Sequence, residues 1–204
     1  MKLLLVNACP RGDASRTLRI ARAFMKEIGA CLPDAEVTEH RLCEMDLRPI
    51  GMEEIALREP LCDARDWSHP FLRAAVEFHQ ADVVVFAAPY WDLSFPSILK
   101  VWVENIYVRN LNFRYEDDRC IGLAEGREAV YIATAGSPVG DNDWGAMYMQ
   151  AVMKSLGVKG FTSIRAEGID LWDCDVEKVL RQAEDEARQA ARKLTAKLNG
   201  ETQA

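Results

Sequence analysis

Three strand-length runs of the chain are apolar almost without interruption: residues 2–8, Val83 to Ala88, and Ala129 to Thr134. A strand with one wet face alternates apolar and polar residues, so unbroken runs of this length belong to strands covered on both faces. Each run leads through a loop of small residues into a stretch with helical apolar spacing. Alternating strand and helix of this kind predicts a parallel sheet with helices on both sides.

The helical stretches carry their own start and stop signals. Leu18, Ala21, Met25, Ile28 and Leu32 form one stripe ending before Pro33, with Ser15 as its N-cap. Strand-like residues at Val37 to Leu42 and a helix over Trp67 to His79 come next. Pro96 starts a helix running to Tyr107, since proline fits a first helical turn. Asp141, Asn142 and Asp143 offer caps for a stripe of Trp144, Tyr148, Ala151, Val152 and Ser155, stopped by Gly157. The mixed segment Phe161 to Glu167 has the composition of an edge strand, and Val176 to Leu198 is an amphipathic helix whose tail frays after Gly200. Residues 43–66 are expected to be an irregular insertion or lid. The whole describes one domain over residues 1–204, a three-layer α/β/α sandwich on a five-stranded parallel sheet ordered 2-1-3-4-5. In that order ligands sit at the carboxyl ends of strands 1, 3 and 4, where the winding direction reverses.

Charge and cysteine usage narrow the partners. With 25 basic and 32 acidic residues the net charge is −7, which disfavours a nucleic-acid or anionic-membrane surface. No apolar run approaches the roughly 20 residues of a membrane span, and the apolar core at the N-terminus is too short for a secretion signal. The cysteines stand at 9, 31, 43, 62, 120 and 174 with no C-x-x-C pair, so no metal site is expected and a reducing cytoplasm is.

Three loops therefore carry the chemistry. Cys9-Pro10-Arg11-Gly12-Asp13-Ala14-Ser15-Arg16-Thr17 runs from a strand into a helix start, where free N–H groups and two hydroxyls suit a phosphate monoester. Neither G-x-x-x-x-G-K-[ST] nor G-x-G-x-x-G is present, so the loop is not that of a Walker nucleotide hydrolase or a dinucleotide fingerprint. Tyr90, Trp91 and Phe95 crowd the second loop, as a flat heteroaromatic ligand would require. Thr134-Ala135-Gly136-Ser137 is small enough for close backbone approach. The helix after Pro96 carries Ile98, Leu99, Val101, Trp102, Val103, Ile106 and Tyr107, more apolar surface than one sheet face covers, which predicts a second subunit against its outer side, with Val103 on that side.

The first loop resembles the S-P-R-x-x-x-S-x-[ST] phosphate loop of the FMN-dependent NAD(P)H quinone reductases and azoreductases, a flavodoxin-like family. Ala87 through Lys100 is similar to that family's A-P-M-Y-N-F-x-I-P-S-x-L-K loop; Asn112-Phe113-Arg114-Tyr115, Gly122-Leu123 and Gly126-Arg127 resemble its F-R-Y…G-L…G-K segment, and Ala166-Glu167-Gly168 its late A-E-G. The resemblance implies phosphate contacts at Cys9, Ser15, Arg16 and Thr17, cofactor contacts at Pro89, Tyr90, Trp91, Asp92 and Leu93, ring-edge contacts at Thr134, Ala135, Gly136 and Ser137, and Phe113 and Tyr115 reaching the partner's flavin cavity. It implies a homodimer in which FMN carries hydride from NADH or NADPH to a quinone, azo or nitroaromatic acceptor in ping-pong order, with no side chain as catalytic acid or base. Cys9 stands for a serine, Asp92 for an asparagine, Leu93 for a phenylalanine and Thr134-Ala135-Gly136-Ser137 for S-R-G-G; a carboxylate at 92 cannot donate as an amide does. Two other readings compete: a flavin electron carrier without enzymatic activity, and a small phosphatase using Cys9, although its C-x6-R spacing exceeds the C-x5-R such chemistry uses.

Overall fold

A computed structural model describes residues 1–124 and 127–200; Gly126 of the resemblance and the tail after Gly200 lie outside them. The three apolar runs form β1 (Lys2–Asn7), β3 (Val83–Ala87) and β6 (Glu128–Thr134). They pair in parallel at the centre of a five-stranded sheet, with Leu5 opposite Val85 and Val85 opposite Val130. The edges are β2 (Glu36–Arg41) and β7 (Gly160–Ala166). The strand period of two then divides β1 between two cores. Leu3 and Leu5 pack with α1 (Arg16–Cys31) and α6 (Val176–Leu198), while Leu4 and Val6 face α3 (Arg73–Gln80), α4 (Ser97–Ile106) and α5 (Trp144–Ser155).

Three expectations need correction. The strand order is β2-β1-β3-β6-β7 rather than 2-1-3-4-5, because β4 (Phe113–Glu116) and β5 (Arg119–Gly122) intervene as a separate antiparallel hairpin. Asp117 and Asp118 turn it with left-handed backbone, the twist that a tight hairpin favours. Residues 43–66 are not irregular, for they contain α2 (Met52–Ala64). That helix carries Pro60 and fully buries only Cys62, so it lacks the apolar stripe by which helices are read. The helix expected over 67–79 begins later: Pro70 opens a single 3-10 turn, and α3 follows.

α4 shows why its phase matters. Leu99, Trp102, Val103 and Ile106 share the i, i+3, i+4, i+7 stripe that faces the core. Val103, expected on the outer side, is therefore 2% exposed. The half-buried apolar residues of the segment are Ile98, Val101 and Tyr107; of these Tyr107 lines a groove of about 570 Å³ between α4 and α5, with Lys100, Glu104, Tyr148 and Ser155.

Trp102 ties α4 to the edge strand β2 through a histidine. Its ring meets Phe86 and Phe78 edge-on at 5.6 and 5.9 Å, and its Nε1–H donates to Nδ1 of His40 at 3.0 Å. Nε2–H of His40 then donates to Glu77 Oε2 at 2.5 Å, and Arg73 holds the same carboxylate at 2.9 Å. With Nδ1 fixed as an acceptor the imidazole is neutral, since a proton there would face the indole N–H. Burial lowers the pKa of His40, and the Glu77 carboxylate opposes this only in part. The unfolded chain thus binds the proton first, and stability present above the ordinary histidine pKa of about 6.5 declines as pH falls from there toward the depressed folded value. Denaturant midpoints measured between pH 7.5 and 5.5 should fall toward acid, and His40→Gln should flatten that slope; an unchanged slope would show that His40 does not control it.

Candidate functional site

The carboxyl ends of β1, β3 and β6 are joined by backbone bonds that outlast the strands. Ala88 N–H donates to the Ile132 carbonyl at 3.0 Å, Tyr90 N–H to Thr134 at 2.9 Å and Ala135 N–H to Ala166 at 2.8 Å. Ile169 and Asp170 continue the ladder onto Ala135 and Gly136 at 3.2 and 3.0 Å. These bonds gather Ser15, Arg16, Thr17, Pro89, Tyr90, Trp91, Thr134 and Gly136 around a cavity of about 130 Å³.

One end of that cavity is built for an anion. Ser15 caps α1 by accepting from Leu18 N–H at 3.2 Å, and its hydroxyl, which lines the cavity, also lies beside the Cys9 thiol. Arg16 and Thr17 open the helix, so their N–H groups have no carbonyl one turn back to meet. Thr17 Oγ1 lies 2.6 Å from Thr134 Oγ1; one hydroxyl of the pair donates to the other, and the acceptor keeps a hydrogen for a ligand. Arg11 and Arg16 add positive charge at the same cavity.

Across the cavity the second loop makes a turn in which Trp91 and Ser94 exchange backbone hydrogen bonds at 3.1 and 2.8 Å. Asp92 and Leu93 at its apex both hold left-handed backbone, φ 49° and 66°. An aspartate adopts this region readily, whereas for leucine it is strained. Leu93 is also 67% exposed, so burial does not account for a leucine at this place. Trp91 is exposed beside it.

The third loop is braced from β7. Arg165 donates to Asp143 at 2.9 Å and to Glu167 at 3.1 Å, while the other Glu167 oxygen accepts from Val139 N–H at 2.5 Å. Asp143 in turn caps α5 through Ala146 N–H at 2.9 Å. Beneath them Tyr131 is wholly buried, and its hydroxyl has no partner among the described residues. Burial raises its pKa, and the nearby Asp143 and Tyr90 add to the rise. Gly145 is required there, because a Cβ would stand 2.8 Å from the Tyr131 hydroxyl.

Several expected site residues are placed elsewhere. Cys9 does not line the cavity: its thiol donates to the Ala87 carbonyl at 3.4 Å and borders a separate cleft with Asn7, Arg22 and Cys43. Its pKa is pushed up to about 11, chiefly by burial, the opposite of the thiolate that a cysteine nucleophile needs. Asp92, Leu93, Ala135 and Ser137 flank the cavity in sequence without lining it. Phe113 and Tyr115 stack edge-on at 5.6 Å on the hairpin and are likewise absent from the lining; Tyr115 is 69% exposed. The histidines also stand apart from the lining: His40 bonds Trp102 and Glu77, His69 caps the 3-10 turn at Pro70, and His79 meets Asn112. Pro10, Arg11, Ile169 and Asp170 complete the lining and were not foreseen. Arg11 lies within the first loop's own motif, and Asp170 comes from beyond β7, a strand end that the switch-point rule does not single out.

A parallel sheet with helices on both faces and a small cavity at the carboxyl ends of its strands is the doubly wound α/β architecture, in which ligands lie at that edge. The chain belongs to the family described as having a flavodoxin-like fold, whose pattern matches residues 1–191. It is 33% identical over 188 residues to an FMN-dependent NADH:quinone oxidoreductase of Clostridium beijerinckii, covering 91% of this chain and 94% of the relative. A protein of the same description from Caldicellulosiruptor saccharolyticus is 32% identical over 200 residues, 95% of this chain and 99% of that one. Among solved structures, an FMN-dependent NADH-azoreductase from Bacillus anthracis in complex with FMN superposes with a TM-score of 0.84 at 22% identity, covering 95% of this chain and 99% of that one; at that identity it speaks for the fold alone.

Because the turn at Leu93 stores backbone strain, Leu93→Gly should raise stability by roughly 1 kcal/mol, read as a higher denaturant midpoint. A lower midpoint would mean that the exposed leucine makes contacts the strain argument neglects.

Proposed function

We propose that the protein is an FMN-dependent NAD(P)H oxidoreductase that reduces quinones, and azo or nitroaromatic compounds of similar shape. The observation that carries the reading is the cradle formed by Ser15, the opening N–H groups of α1, the Thr17–Thr134 hydroxyl pair and two arginines. Its small volume fits a phosphate, with the rest of a flavin lying outward over Tyr90 and Trp91. The relatives' names, both FMN-dependent NADH:quinone oxidoreductases, point the same way.

When bound, FMN supplies the redox chemistry, accepting hydride from a nicotinamide and passing it to the acceptor. The chain's residues bind and orient. Ser15, Thr17 and Arg16 hold the phosphate; Tyr90 and Trp91 border the ring; the small Thr134-Ala135-Gly136-Ser137 loop lets backbone approach the ring edge. Asp92 and Leu93 sit at the exposed apex, where they meet the acceptor rather than the phosphate. No side chain of the cavity is assigned a proton-transfer role. Cys9 shapes the loop through the Ala87 carbonyl instead of touching phosphate.

We further read the α4–α5 groove as the seat of a second copy. Val101 is the half-buried apolar residue on the outer side of α4, Tyr107 lines the groove, and Phe113 and Tyr115 project from the adjoining hairpin, where a partner's ring would meet them. The six thiols, none in a disulfide, suit the cytoplasm.

Purified protein should be yellow, and its flavin absorbance should bleach on adding NADH or NADPH and return with a quinone. Bleaching without multiple turnover on any acceptor would favour an electron carrier. Ser15→Ala with Thr17→Ala should weaken FMN by about 1–3 kcal/mol, as lost hydrogen bonds to a charged group; full retention through gel filtration would remove these hydroxyls from the site. Val101→Asp, a charge on the outer face of α4, should convert a dimer to monomers in sedimentation analysis and lower turnover. A wild-type chain that is monomeric and fully active would refute the shared site.

A further inference from the structure

The anion cradle contains one carboxylate. Asp170 Oδ1 accepts from Arg16 Nη1 at 2.8 Å, and both residues line the cavity with Ser15, Thr17 and Thr134. The placement is built rather than incidental. Asp170 N–H is fixed to the Gly136 carbonyl at 3.0 Å, and Ile169 N–H to Ala135 at 3.2 Å. Gly136 has room for the acid only because it lacks a side chain, since a Cβ there would lie 2.5 Å from Asp170 Oδ2. Two elements of the site are thus shaped to bring a negative charge to the guanidinium that opens α1.

We propose that Asp170 is an affinity-setting residue: it occupies Arg16 in place of the phosphate and must yield the guanidinium when FMN binds. The inference rests on the flavin reading above. Breaking the pair itself costs little, because side chains exposed by 40% and 69% are well hydrated. The persisting cost is the like charge that the carboxylate sets beside an incoming phosphate, and this is felt only by phosphorylated flavin. Riboflavin, which has the same ring and ribityl chain but no phosphate, leaves the pair undisturbed. Asp170 therefore keeps FMN exchangeable without altering how the ring is held, and a chain without bound flavin keeps its helix start neutralised.

The test compares FMN and riboflavin binding to flavin-free wild type, Asp170→Asn and Asp170→Ala by quenching of flavin fluorescence, at 50 mM and 500 mM salt. Both variants are expected to bind FMN on the order of tenfold more tightly at low salt, with the gain shrinking at high salt and riboflavin affinity unchanged. Weaker FMN binding in both variants would overturn the proposal by showing that Asp170 serves to orient Arg16 for phosphate. Equal weakening of FMN and riboflavin would overturn it in favour of a ribityl hydroxyl contact, and no change in either would show the pair to be a surface ion pair without influence. If neither wild type nor variants bind either flavin, it is the flavin reading of the cavity that fails, and the role of Asp170 with it.

Discussion

The site depends on backbone hydrogen bonds that continue the parallel ladder past the ends of its strands. Loops at the carboxyl edge of such a sheet usually diverge, yet here Tyr90 is held to Thr134, Ala135 to Ala166, and Asp170 to Gly136. Each bond fixes one loop relative to its neighbour at the spacing of paired strands, so side chains from distant parts of the chain converge on one small cavity. The arrangement needs a residue without a side chain at Gly136, where a Cβ would stand 2.5 Å from Asp170. The outer brace of Arg165, Asp143 and Glu167 then holds the third loop from the side.

The sheet was legible because burial on both faces removes polar residues from whole segments; β1, β3 and β6 could be read without any helix being placed. Caps were legible to different degrees: Ser15 was the one candidate at its helix start, whereas Asp143 is the cap among three that the sequence offered. What escaped notice has physical reasons. α2 lies on the surface with a proline inside it, and the β4–β5 hairpin is largely exposed, so neither imposes a period on its residues. The inward phase of Val103 was available in the spacing of Leu99, Trp102 and Ile106, but the general apolarity of α4 obscured it.

At the site, sequence pattern located the loops better than the side chains within them. Eight of the expected residues, namely Ser15, Arg16, Thr17, Pro89, Tyr90, Trp91, Thr134 and Gly136, meet at one cavity. Cys9 does not, because its buried thiol is turned to the Ala87 carbonyl and packs beneath the start of α1, on a separate cleft with Leu18 and Arg22. Asp170 went unread because nothing in a single sequence shows that a residue beyond an edge strand folds back across Gly136. Its position is a product of tertiary pairing and has no local signature.

Ser15 joins two roles: its oxygen caps the first turn of α1, and its side chain lines the cavity. α1 packs along α6 and closes one whole core, so whatever fastens the first turn of α1 also fastens that layer. A ligand that binds the folded chain alone adds stability in proportion to the logarithm of its concentration over its dissociation constant. A ligand seated in the cavity therefore also resists opening of the α1–α6 layer, and occupancy and local unfolding are linked there.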